Sequence, residues 1–288
     1  LARKDNIDIA IDLMGYTKHH RMNIFSYRVA PIQISFLGFP GTTGSNCIDY
    51  IIADNIVIPT ESEKFYTEKI IRMPNSYLCN DYEKIISQDK ISRKEFNLPE
   101  KGFVFTSFCA NKKITEKEFD VWMRLLKKIK GSVIWLSKSN QFSAENLIKE
   151  AAKRNIDPKR IIFASKLPSL KQHLARYSLG DLGLDTFNYN GHATTADALR
   201  AGLPVITKIG KSFAARVSAS LLNNLGLTDL ITNSIEEYEE KAIYLATNTE
   251  KLSSLRTQLA KLKKTSTLYN SQLFTKNLED KFREVFLK

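Results

Sequence analysis

The sequence predicts an α/β protein of two Rossmann-like lobes, the second complete and the first represented by its trailing part. Three observations carry that reading. From residue 103 onward, six short β-rich runs, "FVFTSF", "SVIWLS", "RIIFAS", "LGLDTF", "LPVIT" and "LIT", alternate with helical patterns, an order that calls for a parallel sheet wrapped by helices on both faces. Before residue 75 the strand-like runs "IDIAIDL", "PIQISFLG" and "DYIIAD" are separated by the loops "GYTKHHR" and "FPGTTGS". Between the two patterns lies a polar stretch from Cys79 to Asn97. Residues 1–88 are therefore read as a partial amino-terminal lobe and 89–288 as a carboxyl-terminal lobe with closing helices.

The helices of the second lobe are "EFDVWMRLLKKI", "AENLIKEAAKR", "LKQHLARYS", "TADALRAG", "FAARVSASLLNNLG" and "EEYEEKAIYLAT". Thr115 with Glu118, and Ser234 with Glu237, have the spacing of a capping box, in which hydroxyl and carboxylate satisfy free amides of the first turn. Gly131 and Gly226 fall where such helices stop. After Asn248 come two amphipathic helices and no strand, the last being "SQLFTKNLEDKFREVFLK".

Hydrophobic residues make up 43% of the 288 and charged residues 26%, an ordinary globular composition. No apolar run approaches the roughly 18 residues that read as a membrane span. The opening "LARKDNIDIAIDL" lacks the order of a secretion signal and reads as a chain cut from something longer. Cys47, Cys79 and Cys109 stand far apart, without the close pairs of a zinc site or disulfide framework, so a cytoplasmic location is expected. Forty-three basic against 31 acidic residues give a formal charge of +12, which concentrates anions near the surface. The charges are scattered through amphipathic segments, and "KLKK" (261 to 264) lies on the solvated face of a helix. With the aromatics at core-like positions, nucleic-acid binding is not expected.

The stretch "YNGHATTADALRAGLP" (189 to 204) follows a strand and opens a helix. Ligands of parallel sheets bind beyond the strands' carboxyl ends, and a helix start, with its free amides and dipole, receives anions such as phosphate. Gly191 would let the backbone approach closely, and the amides of Ala193, Thr194 and Thr195, with the two threonine hydroxyls, would grip a diphosphate. The same residues have a structural reading, because Thr194 and Asp197 are spaced as a capping box that merely starts the helix. The G-x-x-x-x-G-K-[ST] phosphate loop is absent, which disfavours nucleotide hydrolysis of that type.

Taken together, "APIQISFLGFPGTTGSNCIDYIIAD", "VWMRLLKKIKGSVIWL", "HLARYSLGDLGLDTFNYNGHATTADALRAGLPVIT" and "SFAARVSASLL" closely resemble the catalytic region of the O-linked N-acetylglucosamine (SPINDLY-like) transferases. The resemblance covers nearly the whole chain. It implies a GT-B fold with the UDP-sugar bound by the carboxyl-terminal lobe, inversion at the anomeric carbon and transfer to Ser or Thr hydroxyls of proteins. It also implies no metal or other cofactor, in keeping with a sequence that contains no D-x-D motif. Upstream tetratricopeptide repeats are implied in the full-length protein. By position, Lys113 matches the catalytic lysine on the diphosphate, and His173 a histidine against the uracil. Gly191, His192, Ala193, Thr194 and Thr195 match the diphosphate turn, and Asp197 the ribose ligand. Gly38, Pro40, Gly41 and Thr42 match a loop facing sugar and acceptor across the cleft.

The chain departs from the family pattern at several of these places. Cys109 and Ala110 stand where amides are usual, Ala193 where a threonine is, Arg200 where a tryptophan is, and Lys211 in "IGKS" where an acid is. The general base is expected upstream of Leu1. Other readings stay open from the sequence: a transferase that uses UDP-glucose or modifies asparagine, and a nucleotide-binding or partner-binding module without turnover.

Overall fold

A computed structural model describes residues 2–81 and 85–287. The first lobe is built on a four-stranded parallel sheet, β1 (Ile9–Asp12), β2 (Ile32–Ser35), β3 (Tyr50–Ala53) and β4 (Lys69–Arg72), in the order β1-β2-β3-β4. A single short helix, α1 (Asn23–Ser26), lies between β1 and β2. The sequence predicted three of the strands. The fourth, "KIIR", puts only two isoleucines between basic residues, and it becomes a strand by pairing along its whole length with β3.

In the second lobe strands and helices alternate: β5 (Val104–Ser107), α2 (Glu116–Lys128), β6 (Val133–Ser137), α3 (Gln141–Lys153), β7 (Ile161–Ala164), α4 (Leu170–Ala175), β8 (Leu182–Leu184), α5 (Ala193–Arg200), β9 (Val205–Lys208), α6 (Val217–Asn224), β10 (Ile231–Thr232) and α7 (Ile235–Thr247). Its sheet is parallel throughout, in the order β10-β9-β8-β5-β6-β7. From β5 the chain builds outward through β6 and β7, then returns to the other side of β5 for β8. The switch point therefore lies between β5 and β8, and the crevice above their carboxyl ends is where such folds bind ligands.

Burial explains why the runs take these forms. β5 and most of β6 are buried on both faces, which is why they read as continuous apolar segments. On α2 the side chains of Phe119, Trp122, Met123 and Leu126 recur at helical spacing and are buried, and Trp135 of β6 meets Phe96 and Phe108 edge-on at 5.4 and 4.9 Å. The Thr115–Glu118 capping box forms in full. At α7 only half of one does: the Ser234 hydroxyl accepts from Glu237 N at 3.1 Å, but the Glu237 carboxylate accepts from Asn233 N at 2.8 Å instead of Ser234.

Two further helices, α8 (Thr249–Thr265) and α9 (Ser271–Phe286), close the chain. The apolar face of α9, with Phe274, Leu278, Phe282 and Val285, enters the core of the first lobe, and Phe274 stacks on Phe36 at 6.3 Å. The lobes are also joined at the start of α6. Arg216 Nε donates to the Ile56 carbonyl at 2.6 Å, the Ser220 hydroxyl to Asp54 at 2.6 Å, and Phe213 lies edge-on to Tyr77 at 4.8 Å.

Candidate functional site

The loop after β8 is organised by a buried acid. Asp185, 1% exposed, follows the last residue of the strand and accepts from Gly191 N at 2.6 Å, Thr186 N at 2.9 Å and the Thr207 hydroxyl at 2.7 Å. Burial pushes its carboxyl up to about 6, although these hydrogen bonds oppose the shift. Inside the loop the fully buried Asn190 donates its side-chain amide to the Thr186 carbonyl at 2.7 Å and its backbone amide to the Ala214 carbonyl at 2.8 Å. Gly191 is required by close approach, since a Cβ there would sit 2.4 Å from Thr195 Oγ1 and 2.7 Å from Thr194 Oγ1.

The loop delivers the chain to α5, whose N-cap is His192. This decides between the two readings of Thr194 and Asp197: both lie inside the helix, so they do not form the box that starts it. The amides of Ala193, Thr194 and Thr195 then occupy the first turn, where helix geometry supplies no intrahelical acceptor. One expectation is corrected here. The Thr195 hydroxyl is buried, 3.0 Å from Ser218 Oγ, and is committed to the interior. Thr194 is half-buried with its hydroxyl 3.7 Å from Cys109 Sγ, and Ala193 is exposed.

Lys113 arrives from the other side of the switch point, on the short turn Asn111–Lys113 after β5. Its ammonium donates to the Asn190 carbonyl at 2.8 Å and lies 3.9 Å from the centre of the Tyr189 ring, a cation–π contact. Burial lowers its pKa from the ordinary value, with Cys109 and Asp185 opposing. The Tyr189 ring also stacks on His192 at 4.8 Å. His192 is pushed down to about 4 by burial and by the charge of Lys113, its hydrogen bond to Ala214 acting the other way. Near neutral pH the ring is uncharged. Because a carbonyl only accepts, the contact of His192 Nε2 with Ala214 O at 3.3 Å puts the proton on Nε2 and leaves Nδ1 as an acceptor.

His173 on α4 occupies a second part of the same face. Its Nδ1 accepts from Arg176 at 2.6 Å, and burial, then Arg176, holds the ring below its usual pKa, against Asp197. Arg176 lies over Phe108 and Trp135. Both residues line a cleft of ≈ 450 Å³ with Ser137, Lys138 and Lys166 at the tips of β6 and β7. Tyr177 links this region to the helix mouth, packing on His173 and reaching the Thr194 carbonyl at 3.4 Å. Asp197 is half-buried on α5, within electrostatic reach of His173 and Tyr177.

The loop with Gly38, Pro40, Gly41 and Thr42 follows β2 and is held within the first lobe. Thr42 donates to the buried Glu68 at 2.6 Å, Thr43 N to the same carboxylate at 2.6 Å, and Tyr16 OH to the Thr43 carbonyl at 2.7 Å. A Cβ on Gly38 would fall 2.2 Å from the Leu13 carbonyl and one on Gly15 2.3 Å from Phe39 Cβ, so the loop lies directly on residues 13–16, the start of "GYTKHHR" included. The hydrogen bonds of this loop given by the described residues stay within its own lobe. Lys113, His192, Thr194 and His173, in contrast, are brought onto one face of the second. Of the departures from the family pattern, Arg200 is buried with its guanidinium over the Tyr269 ring at 5.3 Å, and Lys211 is exposed.

Sequence reasoning did not single out Asp185, Tyr189 or Asn190, nor a second role for Glu118. Asp185 carried the one legible signal, an acid at the end of an apolar strand. Among the described residues no three His, Cys, Asp or Glu side chains gather to hold a metal ion, and no helix is long and apolar enough to cross a membrane.

Two lobes, each built on a parallel sheet, with a helix start at the switch point of the second, have the architecture of the GT-B fold. The sequence profile of glycosyl transferase family 41 matches residues 1–91 and 87–278, and the chain belongs to that family. It is 38% identical over 285 residues to the Arabidopsis thaliana protein SEC, described as a probable UDP-N-acetylglucosamine–peptide N-acetylglucosaminyltransferase, covering 97% of this chain and 29% of SEC. It is 33% identical to Petunia hybrida SPINDLY, described in the same words, covering 99% and 31%. The chain thus spans about a third of the length of these relatives. A solved mutant of Thermobaculum terrenum O-GlcNAc transferase superposes with a TM-score of 0.88 at 28% identity, over 99% of this chain and 54% of that one. Anabaena HepE, solved with UDP and glucose, shares the fold at 12% identity, with a TM-score of 0.66 over 97% of this chain and 80% of its own.

Proposed function

We propose that the protein transfers a sugar, N-acetylglucosamine in the first instance, from a UDP-sugar to Ser or Thr hydroxyls of proteins, with inversion and without a metal. The observation that carries this reading is the convergence of the Lys113 ammonium on Asn190, beside the first-turn amides of α5. In the reaction the departing group is UDP, and negative charge builds on its diphosphate as the anomeric bond breaks. A lysine and a set of helix amides already aimed there stabilise that charge without reorganisation, and removing one such donor typically costs about 3 kcal/mol of transition-state stabilisation. Lys113 exchanges the Asn190 carbonyl for a phosphate oxygen. The cleft beside His173 takes the uracil, Asp197 accepts from the ribose hydroxyls, and the 38–42 loop faces sugar and acceptor. The neutral His192, with Nδ1 as an acceptor, suits a sugar hydroxyl better than a phosphate oxygen.

The relatives' descriptions as peptide N-acetylglucosaminyltransferases support the donor and acceptor classes. A second reading, a nucleotide-binding module without turnover, draws on the exposed Ala193 and the buried, neutral Cys109 thiol, which leave fewer polar side chains around the diphosphate. One experiment separates the two. The full-length protein is incubated with UDP-N-acetylglucosamine and Ser/Thr peptides, with and without a chelator. A peptide mass increase with UDP release, indifferent to the chelator and lost in Lys113→Ala, is expected. UDP binding with no mass increase on any peptide would favour the module.

A further inference from the structure

Two carboxylates lie buried beneath this site, Glu118 and Asp185, 0% and 1% exposed. Asp185 holds one end of the 186–191 loop through Gly191 N. Glu118 holds the other end while doing something else. Its Oε2 accepts from Thr115 N at 3.1 Å and from the Thr115 hydroxyl, closing the capping box that starts α2 immediately downstream of Lys113. Its Oε1 accepts from Phe187 N at 2.7 Å, a residue 69 positions away. A capping box needs only the first set of contacts. The second ties the segment that presents Lys113 to the loop that carries Asn190 and ends in the helix mouth.

Burying a carboxylate is costly unless it is fully hydrogen-bonded, and apolar packing often holds a loop as well or better. Charge-assisted bonds from backbone amides supply directional constraint that apolar contact lacks. We infer that Glu118 is a positioning residue for donor binding: by bridging the Lys113 turn and the 186–191 loop, its carboxylate sets the spacing at which ammonium and helix amides meet a diphosphate. The inference rests on the nucleotide reading given above.

Glutamine distinguishes this bridge from an ordinary cap. With one acceptor oxygen and one NH₂ group, it satisfies the Thr115 side or the Phe187 side and turns donors against donors at the other. The test is a double-mutant cycle on UDP affinity in the full-length protein, using Glu118→Gln, Lys113→Ala and both together, with amide exchange of ligand-free protein alongside. Glu118→Gln is expected to speed exchange across residues 186–192 while the remainder of the second sheet is unchanged. It should weaken UDP by about tenfold, the order expected for a lost charge-assisted hydrogen bond. In the Lys113→Ala background the same change should cost less than about twofold, because residues that act through one another are non-additive. Should Glu118→Gln fail to fold, Glu118→Asp, which keeps the charge but is one methylene too short to span both sets of donors, is measured with the same expectation.

Additive losses in the cycle would overturn the inference, since a residue that only supports the fold weakens both backgrounds alike. Unaltered exchange at 186–192 would overturn it whether or not UDP binds. If the unmutated chain bound no UDP, the nucleotide reading and the positioning role would fall together, and faster loop exchange would still show that the bridge exists.

Discussion

His192 and Asp185 are shifted in opposite directions by the same cause, burial, and their effects on stability oppose each other over nearly the same range of pH. The folded imidazole titrates near 4 against an ordinary 6.5. Between those values the unfolded chain holds more protons, so this residue's contribution falls as pH drops. The folded Asp185 carboxyl titrates near 6 against an ordinary 3.8, so there the folded state holds more protons and stability rises as pH drops. Asp185→Asn removes the second effect only. Its stability is expected to fall more steeply than that of the unmutated protein between about pH 6 and pH 4, and His192→Gln should show a shallower fall. Urea denaturation across that range checks both, and parallel profiles for all three proteins would contradict the assignment. At this scale the turn at 191–195 was singled out by its place between a strand and a helix, and Lys113 only through the family resemblance. The sequence could not disclose the bond of Asp185 to Thr207 or that of Glu118 to Phe187, because each depends on partners far apart in sequence that the sheet order brings together.

Among the elements, those most legible in the sequence were buried on both faces or capped by short-range contacts. All six strands of the second sheet were read as short β-rich runs alternating with helical patterns, and α2 was read from its helical pattern and its capping box, with Phe119, Trp122, Met123 and Leu126 on its buried face. Strand β4 was missed because two isoleucines make no periodic signal. The start of α5 was left open between two readings because its cap, His192, is not a residue type that caps by side chain, and it makes no capping hydrogen bond. The attachment of α9 was likewise invisible, since an amphipathic pattern states that a face is buried and not against what. Its packing on the first lobe gives a prediction. Phe274→Ala removes the ring stacked on Phe36 and, for a partly buried aromatic, is expected to cost about 2 kcal/mol. Chemical denaturation should show that loss, and a change within error would mean that α9 contributes little to the first lobe.

For the whole molecule, the important geometry is that α6 and α9 join the two lobes. Arg216 lies at that junction, bonded to Ile56 of one lobe and Gly210 of the other, so the loop packed against Asn190 and His192 is tied to the first lobe. The formal charge of +12 adds a general attraction for anions; the proposed diphosphate site relies instead on one lysine and three amides. A structure of the protein with UDP bound measures that dependence most directly. The account predicts diphosphate oxygens within hydrogen-bond distance of Lys113 Nζ and of the Ala193–Thr195 amides, with the ammonium lifted from the Asn190 carbonyl. A nucleotide bound with its diphosphate elsewhere, and Lys113 still resting on Asn190, would contradict it.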